Sequence, residues 1–319
     1  IATMTRKAWK VIVPKGTLTP GDKVVYFETD TALPENVPAF ESFQKRGQKT
    51  LYVDGEEVKA HVLRTMKMRG VYSQGLILPL SDFNLKNVEI GQDVAQETGV
   101  LKYEEPLPMG SEQIGVFDTR FAPKTDSERI QNLTEYWEEI KELPWEASVK
   151  IDGTSQTVIN DGGKVRIFGR NWELNPETAP GYATIAETGI LEVVKNTPGI
   201  AVQFELAGPN IQKNRLGLSR IRPFIFSVWK DREKLSREDW DKELVKWAAP
   251  ELKQEEWRLT GTVDEMINKV TTLRETITKN KVDEGIVYHL NSNIPTPVWM
   301  DDTQTIKIIN NKYLEKHGL

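Results

Sequence analysis

Trp145-Glu-Ala-Ser-Val-Lys-Ile-Asp-Gly-Thr154 places Lys150 at the end of an apolar run and follows it with an Asp-Gly turn. A surface lysine ahead of a tight turn would read the same way, and a Lys-x-Asp-Gly match arises by chance in roughly one chain of this length in ten. The segments that follow in order decide between the two: Phe204-Glu-Leu-Ala-Gly208, Phe224-Ile-Phe-Ser-Val228, Asp283-Glu-Gly-Ile-Val287 and Thr305-Ile-Lys-Ile-Ile309. Each joins an apolar, strand-prone run to a charged or aromatic side chain, so each reads as a strand delivering one functional group. The same criteria predict strands over 147–149, 154–159, 164–168, 202–206, 224–229, 285–289 and 305–309, with Asn160-Asp-Gly-Gly163 as a hairpin turn. Helical periodicity appears over 183–196, 236–248 and 263–279. Thr125-Asp-Ser-Glu128 reads as a capping box for a further helix whose face is Ile130, Leu133, Trp137 and Ile140. Strands and helices mix without regular alternation, which predicts an α+β fold with mainly antiparallel sheets.

Upstream the text changes character. Trp9-Lys-Val-Ile-Val13, Lys23-Val-Val-Tyr-Phe27, Leu51-Tyr-Val-Asp-Gly55 and Gly75-Leu-Ile-Leu78 are short strand-like runs punctuated by Pro and Gly. No sustained helical period accompanies them, so residues 1–110 read as a small barrel or sandwich. Pro106, Pro108 and Gly110 mark the boundary, leaving 111–319 as the second domain.

Composition limits the chemistry. The 319 residues contain no cysteine and three histidines, His61, His289 and His317. That excludes a disulfide framework, a cysteine zinc site and thiol catalysis, and leaves little for a histidine metal cage. An enzyme with this composition must run on Lys, Arg, Asp and Glu. No apolar run approaches the roughly 20 residues of a membrane span, and the start at Ile1 lacks the apolar core of a signal peptide. The chain is expected to be soluble and intracellular, with no membrane partner, and to lack some N-terminal sequence.

The net charge of -5 argues against nucleic acid as a partner, but the order of the charges reverses that. Residues 58–81 contain no acid and carry Lys59, Arg64, Lys67 and Arg69; residues 206–230 contain no acid and carry Lys213, Arg215, Arg220, Arg222 and Lys230. Two acid-free windows in an acidic chain favour local phosphate binding over solvated faces.

Taken in order, the five motifs resemble those of the covalent nucleotidyltransferase superfamily, which includes ATP-dependent DNA and RNA ligases and mRNA capping enzymes. Pro209-Asn-Ile-Gln-Lys-Asn-Arg-Leu-Gly217 resembles RNA ligases more than DNA ligases, and only seven residues follow Lys312, too few for a C-terminal OB domain. Gly21-Asp-Lys-Val-Val-Tyr-Phe-Glu28 and Met68-Arg-Gly-Val-Tyr-Ser-Gln-Gly-Leu76 are similar to the N-terminal OB domain of the RNA ligase family that the Naegleria and Deinococcus enzymes represent, most nearly the Naegleria type. The resemblance implies an antiparallel-sheet nucleotidyltransferase domain of ATP-grasp-like ligase type at 111–319 behind a small all-β OB-type barrel.

It further implies a function: joining RNA 3′-OH and 5′-phosphate ends, at nicks in duplexes, with ATP and Mg²⁺ or Mn²⁺, as a monomer. Lys150 would take AMP as a phosphoramidate, which requires its amine to lose a proton although an unperturbed lysine titrates near 10.4. Burial and the positive charge of Lys307 and a metal would lower it. Asp152, Glu205 and Glu284 would hold ribose and metal; Val149 and Gly153 would border the nucleotide. Phe226 would stack on the base, with Phe224 a core-facing alternative on the same strand face. Arg129 and Arg170 would contact phosphate through their guanidinium forks. Lys59, Arg64, Lys67 and Arg69 would grip the RNA backbone. The last motif departs from the family pattern: Ile309 stands where a second lysine is usual, and Lys312 is the substitute. The rival readings are a DNA ligase or a capping guanylyltransferase, and a catalytically inactive RNA-binding protein. The three histidines receive no role.

Overall fold

The structure, a computed structural model, describes residues 1–53, 56–104, 110–274 and 282–319. The expected Asp54-Gly55 turn, the prolines at the domain boundary and the end of the 263–279 helix lie outside the described residues. Two compact units form, Ile1–Pro106 with Leu314–Leu319, and Leu107–Tyr313.

The first unit is built from short strands, as its Pro and Gly punctuation requires. Leu101–Lys102, Thr31–Pro34, Glu56–Val62 and Lys49–Val53 form a four-stranded antiparallel sheet in that order, and Val24–Phe27 pairs with Leu76–Pro79. Alternation sends Val25 and Phe27 inward against Leu33, Phe40 and Leu63. The rings of Phe27, Phe40 and Phe83 meet one another at centroid distances of 5.6 Å, an edge-to-face or tilted arrangement that aromatic quadrupoles favour.

The second unit contains two sheets. Seven antiparallel strands run in the order Gln113–Val116, Trp172–Leu174, Lys164–Phe168, Thr154–Asp161, Ile200–Ala207, Arg222–Lys230 and Glu233–Lys234. One face of this sheet buries Val158, Ile167, Val202, Phe204 and Leu206 against Ile185 and Val194 of the helices Pro180–Ala186 and Ile190–Asn196. The second sheet runs Glu128–Arg129, Thr305–Ile309, Gly285–Leu290, Trp145–Lys150. The segment Trp247–Leu252 stitches the two together: Ala249 N–H donates to Ile225 O at 2.7 Å, and Leu252 N–H donates to Ala147 O at 2.8 Å. That stitch sets the Lys150 strand beside the strand of Phe224 and Phe226. The seven strands predicted here form, and the Asn160–Gly163 hairpin closes with Gly163 N–H donating to Asn160 Oδ1.

One expectation fails. Glu128–Arg129 is a short strand parallel to Thr305–Ile309, followed by single 3₁₀ turns at Ile130–Asn132 and Thr134–Tyr136 before a helix at Trp137–Glu142. The residues read as a capping box have other partners: Thr125 bonds Ser155, Ser127 bonds Thr305, both at 2.6 Å, and Glu128 accepts from Asn132. Long-range hydroxyl pairs therefore replace the cap, while Ile130, Leu133, Trp137 and Ile140 remain buried as their spacing predicts. A capping box does form at Thr262 and Glu265, opening the helix Val263–Val270. The 236–248 pattern resolves into a 3₁₀ turn at Arg237–Asp239 and a helix at Lys242–Val245. Among the described residues no helix is long and apolar enough to cross a membrane.

Candidate active site

Residues directly opposite across a sheet share a face, and the register collects the candidate cations onto one. Lys150 lies opposite Gly285, Val287 opposite both Ser148 and Lys307, and Arg129 beside Lys307. Lys150 Nζ is 2.8 Å from Glu284 Oε1, with a quarter of its side chain open to solvent. Burial opposes a charge on Lys150, but Glu284, Glu205 and Asp152 together outweigh it and hold the ammonium above its usual range. This differs from the expectation of a depressed lysine; the carboxylates around it, not the cations, set its state here. Burial also lifts Glu284, and lifts Glu205 to about 8, each partly offset by Lys150.

Lys307 behaves as Lys150 was expected to. Burial lowers it to about 8, against the pull of Asp126 at 3.5 Å and with help from Arg129, Lys150 and Arg170. Arg170 is itself exposed, and its charge reaches both Glu205 and Lys307. Lys312 is exposed on the helix Asn311–His317, and its backbone N–H donates to Asn310 Oδ1. Ile309, at the position of the missing second lysine, is buried opposite Gly285.

Asp152 is spoken for. Arg215 donates to its two oxygens at 3.0 and 2.9 Å, and the Tyr313 hydroxyl donates to Oδ2 at 2.5 Å. Both ends of the ion pair are more than nine-tenths buried, so losing Arg215 alone would strand a buried carboxylate at a cost of about 3–5 kcal/mol. Sequence reasoning counted Arg215 among phosphate-binding cations; only its place in an acid-free window pointed to it, and nothing local pointed to Asp152. Elsewhere in that window Arg222 lies over the Phe224 and Trp247 rings, and Lys230 pairs with Asp231.

Gly153 serves the backbone. A Cβ there would stand 2.3 Å from Leu206 O, so only glycine lets this turn lie against the Ile200–Ala207 strand that carries Glu205. Val149 is buried, its N–H donating to Pro250 O. A β-bulge interrupts the expected equivalence of the two phenylalanines. Phe224 lies opposite Glu205 and is buried, whereas Phe226 is the extra residue between the pairs Phe204–Ile225 and Gln203–Ser227 and is half-buried.

The donor set suits a divalent cation shared with phosphate. Glu284 Oε2 is buried with no hydrogen-bond partner among the described residues, and Glu205 lies close enough for the two charges to interact. Among the described residues no three Asp, Glu or His side chains form a closed cage. Glu205 and Glu284 would hold the ion with phosphate and water completing its shell, a form of binding common for Mg²⁺.

The RNA-binding candidates of the first unit are divided. Arg64 pairs with Asp30 at 2.5 Å and lies over the Tyr103 ring, and Lys67 pairs with Glu315 at 3.1 Å. Lys59 and Arg69 are exposed.

Comparison with known proteins agrees with this architecture. Residues 1–80 match a family model described as an OB-fold domain, and residues 143–309 match one described as RNA ligase. Among solved structures, a Naegleria gruberi RNA ligase variant with AMP and Mn is 29% identical, covering 98% of this chain and 92% of that one at a TM-score of 0.80. A variant of the same enzyme with ATP and Mn, and the enzyme with PPi, are each 29% identical with 97% and 91% coverage and a TM-score of 0.79. None of the curated proteins matches the chain. The matched span runs from just before the Lys150 strand to the end of the Lys307 strand, and the chain belongs to the RNA ligase family.

Proposed function

We propose that this RNA ligase is ATP-dependent and works through a lysyl-AMP intermediate on Lys150, carried by a nucleotidyltransferase domain at 111–319 behind an OB-fold domain at 1–110. The observation that carries the reading is an accessible lysine at a strand end, 2.8 Å from one of two interacting carboxylates, on a sheet face shared with Lys307 and Arg129. The Lys150 amine attacks the α-phosphate and pyrophosphate leaves. AMP then passes to the 5′-phosphate of RNA, freeing Lys150, and attack by the 3′-OH on that phosphate forms the phosphodiester and releases AMP. Glu284 is positioned to accept the proton that Lys150 must lose. A divalent cation on Glu205 and Glu284 would supply charge neutralisation for the phosphates and relieve Lys150 of the carboxylate field that keeps it protonated. Lys307, Arg129 and Arg170 would bind the phosphate oxygens.

Two tests bear on this. Incubation with α-labelled ATP and Mg²⁺ or Mn²⁺ should give a labelled polypeptide whose bond resists alkali and yields to acid, as a phosphoramidate does. Sealing a nicked duplex whose 3′ strand ends in ribose, but not in deoxyribose, separates an RNA ligase acting on nicks from a DNA ligase; equal sealing of both ends would sink the RNA assignment.

Lys307 supplies a pH prediction. Its ammonium is charged below pH 7 and is lost as pH rises through about 8. Affinity for a non-reactive α,β-methylene analogue of ATP should therefore fall roughly tenfold between pH 7 and 9. Lys307→Arg, charged throughout, should flatten that slope; the same slope in both proteins would remove Lys307 from phosphate binding.

A further inference from the structure

The face that carries Lys150 continues beyond the phosphate chemistry. Glu146, Ser148 and Lys150 alternate onto one side of their strand, and the register sets His289 opposite Glu146. Ser148 lies two residues from Lys150 along that face, about 7 Å of strand rise, which is the scale of the ribose separating a base from its α-phosphate. At this distance Ser148, Phe226, His289, Glu146 and Lys234 line one cavity. Ser148 Oγ is 3.1 Å from His289 Nε2. The imidazole is 8% exposed, and among the described residues its Nδ1 has no hydrogen-bond partner. Buried polar atoms are ordinarily satisfied, so an unmet ring nitrogen on a cavity wall points to a ligand group.

We propose that Ser148 and His289 are the base-reading pair of the nucleotide subsite, hydrogen-bonding the exocyclic 6-position edge of a purine held beside Phe226. The proposal rests on Lys150 as the nucleotidyl acceptor. Burial, with the nearby charges of Lys234 and Arg237, keeps His289 neutral, so one ring nitrogen donates and the other accepts. With Ser148 donating to Nε2, Nδ1–H is free to donate to adenine N1 and Ser148 Oγ to accept from the 6-amino group. One hydroxyl and one neutral imidazole thus present both halves of the pattern that adenine offers. Phe226, half-buried at its bulge, contributes an apolar ring with no preference among bases.

The test compares ATP with purine riboside triphosphate, which lacks the 6-amino group, in formation of the labelled adduct. The parent should favour ATP by roughly tenfold or more. Ser148→Ala and His289→Gln should bring that ratio close to one while labelling with the purine analogue continues, which also reports that the variants are folded. An undiminished ratio in both variants, or no preference in the parent, overturns the base-reading role alone. No adduct from the parent with either triphosphate overturns the lysyl-AMP reading and this inference with it.

Discussion

Lys150→Ala protein, incubated with labelled ATP and a divalent cation, should carry no label, a loss of roughly 10⁴-fold or more that reflects removal of the nucleophile itself. It should still seal RNA supplied with a pre-adenylylated 5′ end, because that step needs no lysine acceptor. The two readouts together separate a missing nucleophile from a collapsed site. Labelling of Lys150→Ala at the parent's level would end the assignment.

The assignment needs that experiment because the electrostatics of the site contain a competitor. Lys307 lies on the same face and has the lower pKa, about 8, whereas Lys150 is held above its usual range. Ranked by basicity alone, Lys307 would be the better amine at neutral pH. Two considerations favour Lys150. Its elevation comes from Glu284, Glu205 and Asp152, and two of these are the side chains suited to a cation, so its proton affinity falls when that charge is taken up. Lys307 is lowered chiefly by burial and by neighbouring cations, an environment that binds anionic oxygen. Lys307→Ala should therefore weaken ATP binding and leave the label on Lys150. Label found on Lys307 would exchange the two roles.

The strands of the second unit and the set of candidate residues were legible because each depends on a few adjacent residues: an apolar run, a charged side chain, a turn dipeptide. Features set by distant partners were not. Asp152 and Arg215 are separated by 63 positions and become a buried ion pair only when two loops meet. Thr125 to Glu128 satisfy a local helix rule, yet Ser155 and Thr305 take their hydroxyls and the chain enters a sheet instead. Residues 58–81 read as a cationic stripe, but Asp30 and Glu315 neutralise Arg64 and Lys67 from outside the window. His289 carried no motif, and its significance rests on burial and on Ser148 across the sheet. Counting charge along the chain locates cations without locating their partners.

Glu205→Gln should separate stability from activity. In the folded protein Glu205 titrates near 8, pushed up first by burial and then by Glu284 and Asp152 against the pull of Lys150 and Arg170. Between roughly pH 4.5 and 8 the folded state keeps a proton that the unfolded chain releases. Folding stability from this group is therefore greatest below the unfolded carboxyl range, declines as pH rises through that window, and is least above 8. Glutamine has the same shape and cannot ionise. The variant should melt with the parent near pH 4 and several degrees above it near pH 9. Adduct formation should move the other way. Loss of one of the two carboxylates suited to the cation should lower it about 100-fold, with part of the loss recovered at high Mn²⁺. Removing Glu205 also takes away one of the charges that keep Lys150 protonated, so the residual activity should peak at a lower pH than the parent's. Melting curves that coincide at pH 9 would mean that the carboxylate costs the fold nothing. Unchanged adduct formation would mean that the cation is held without it.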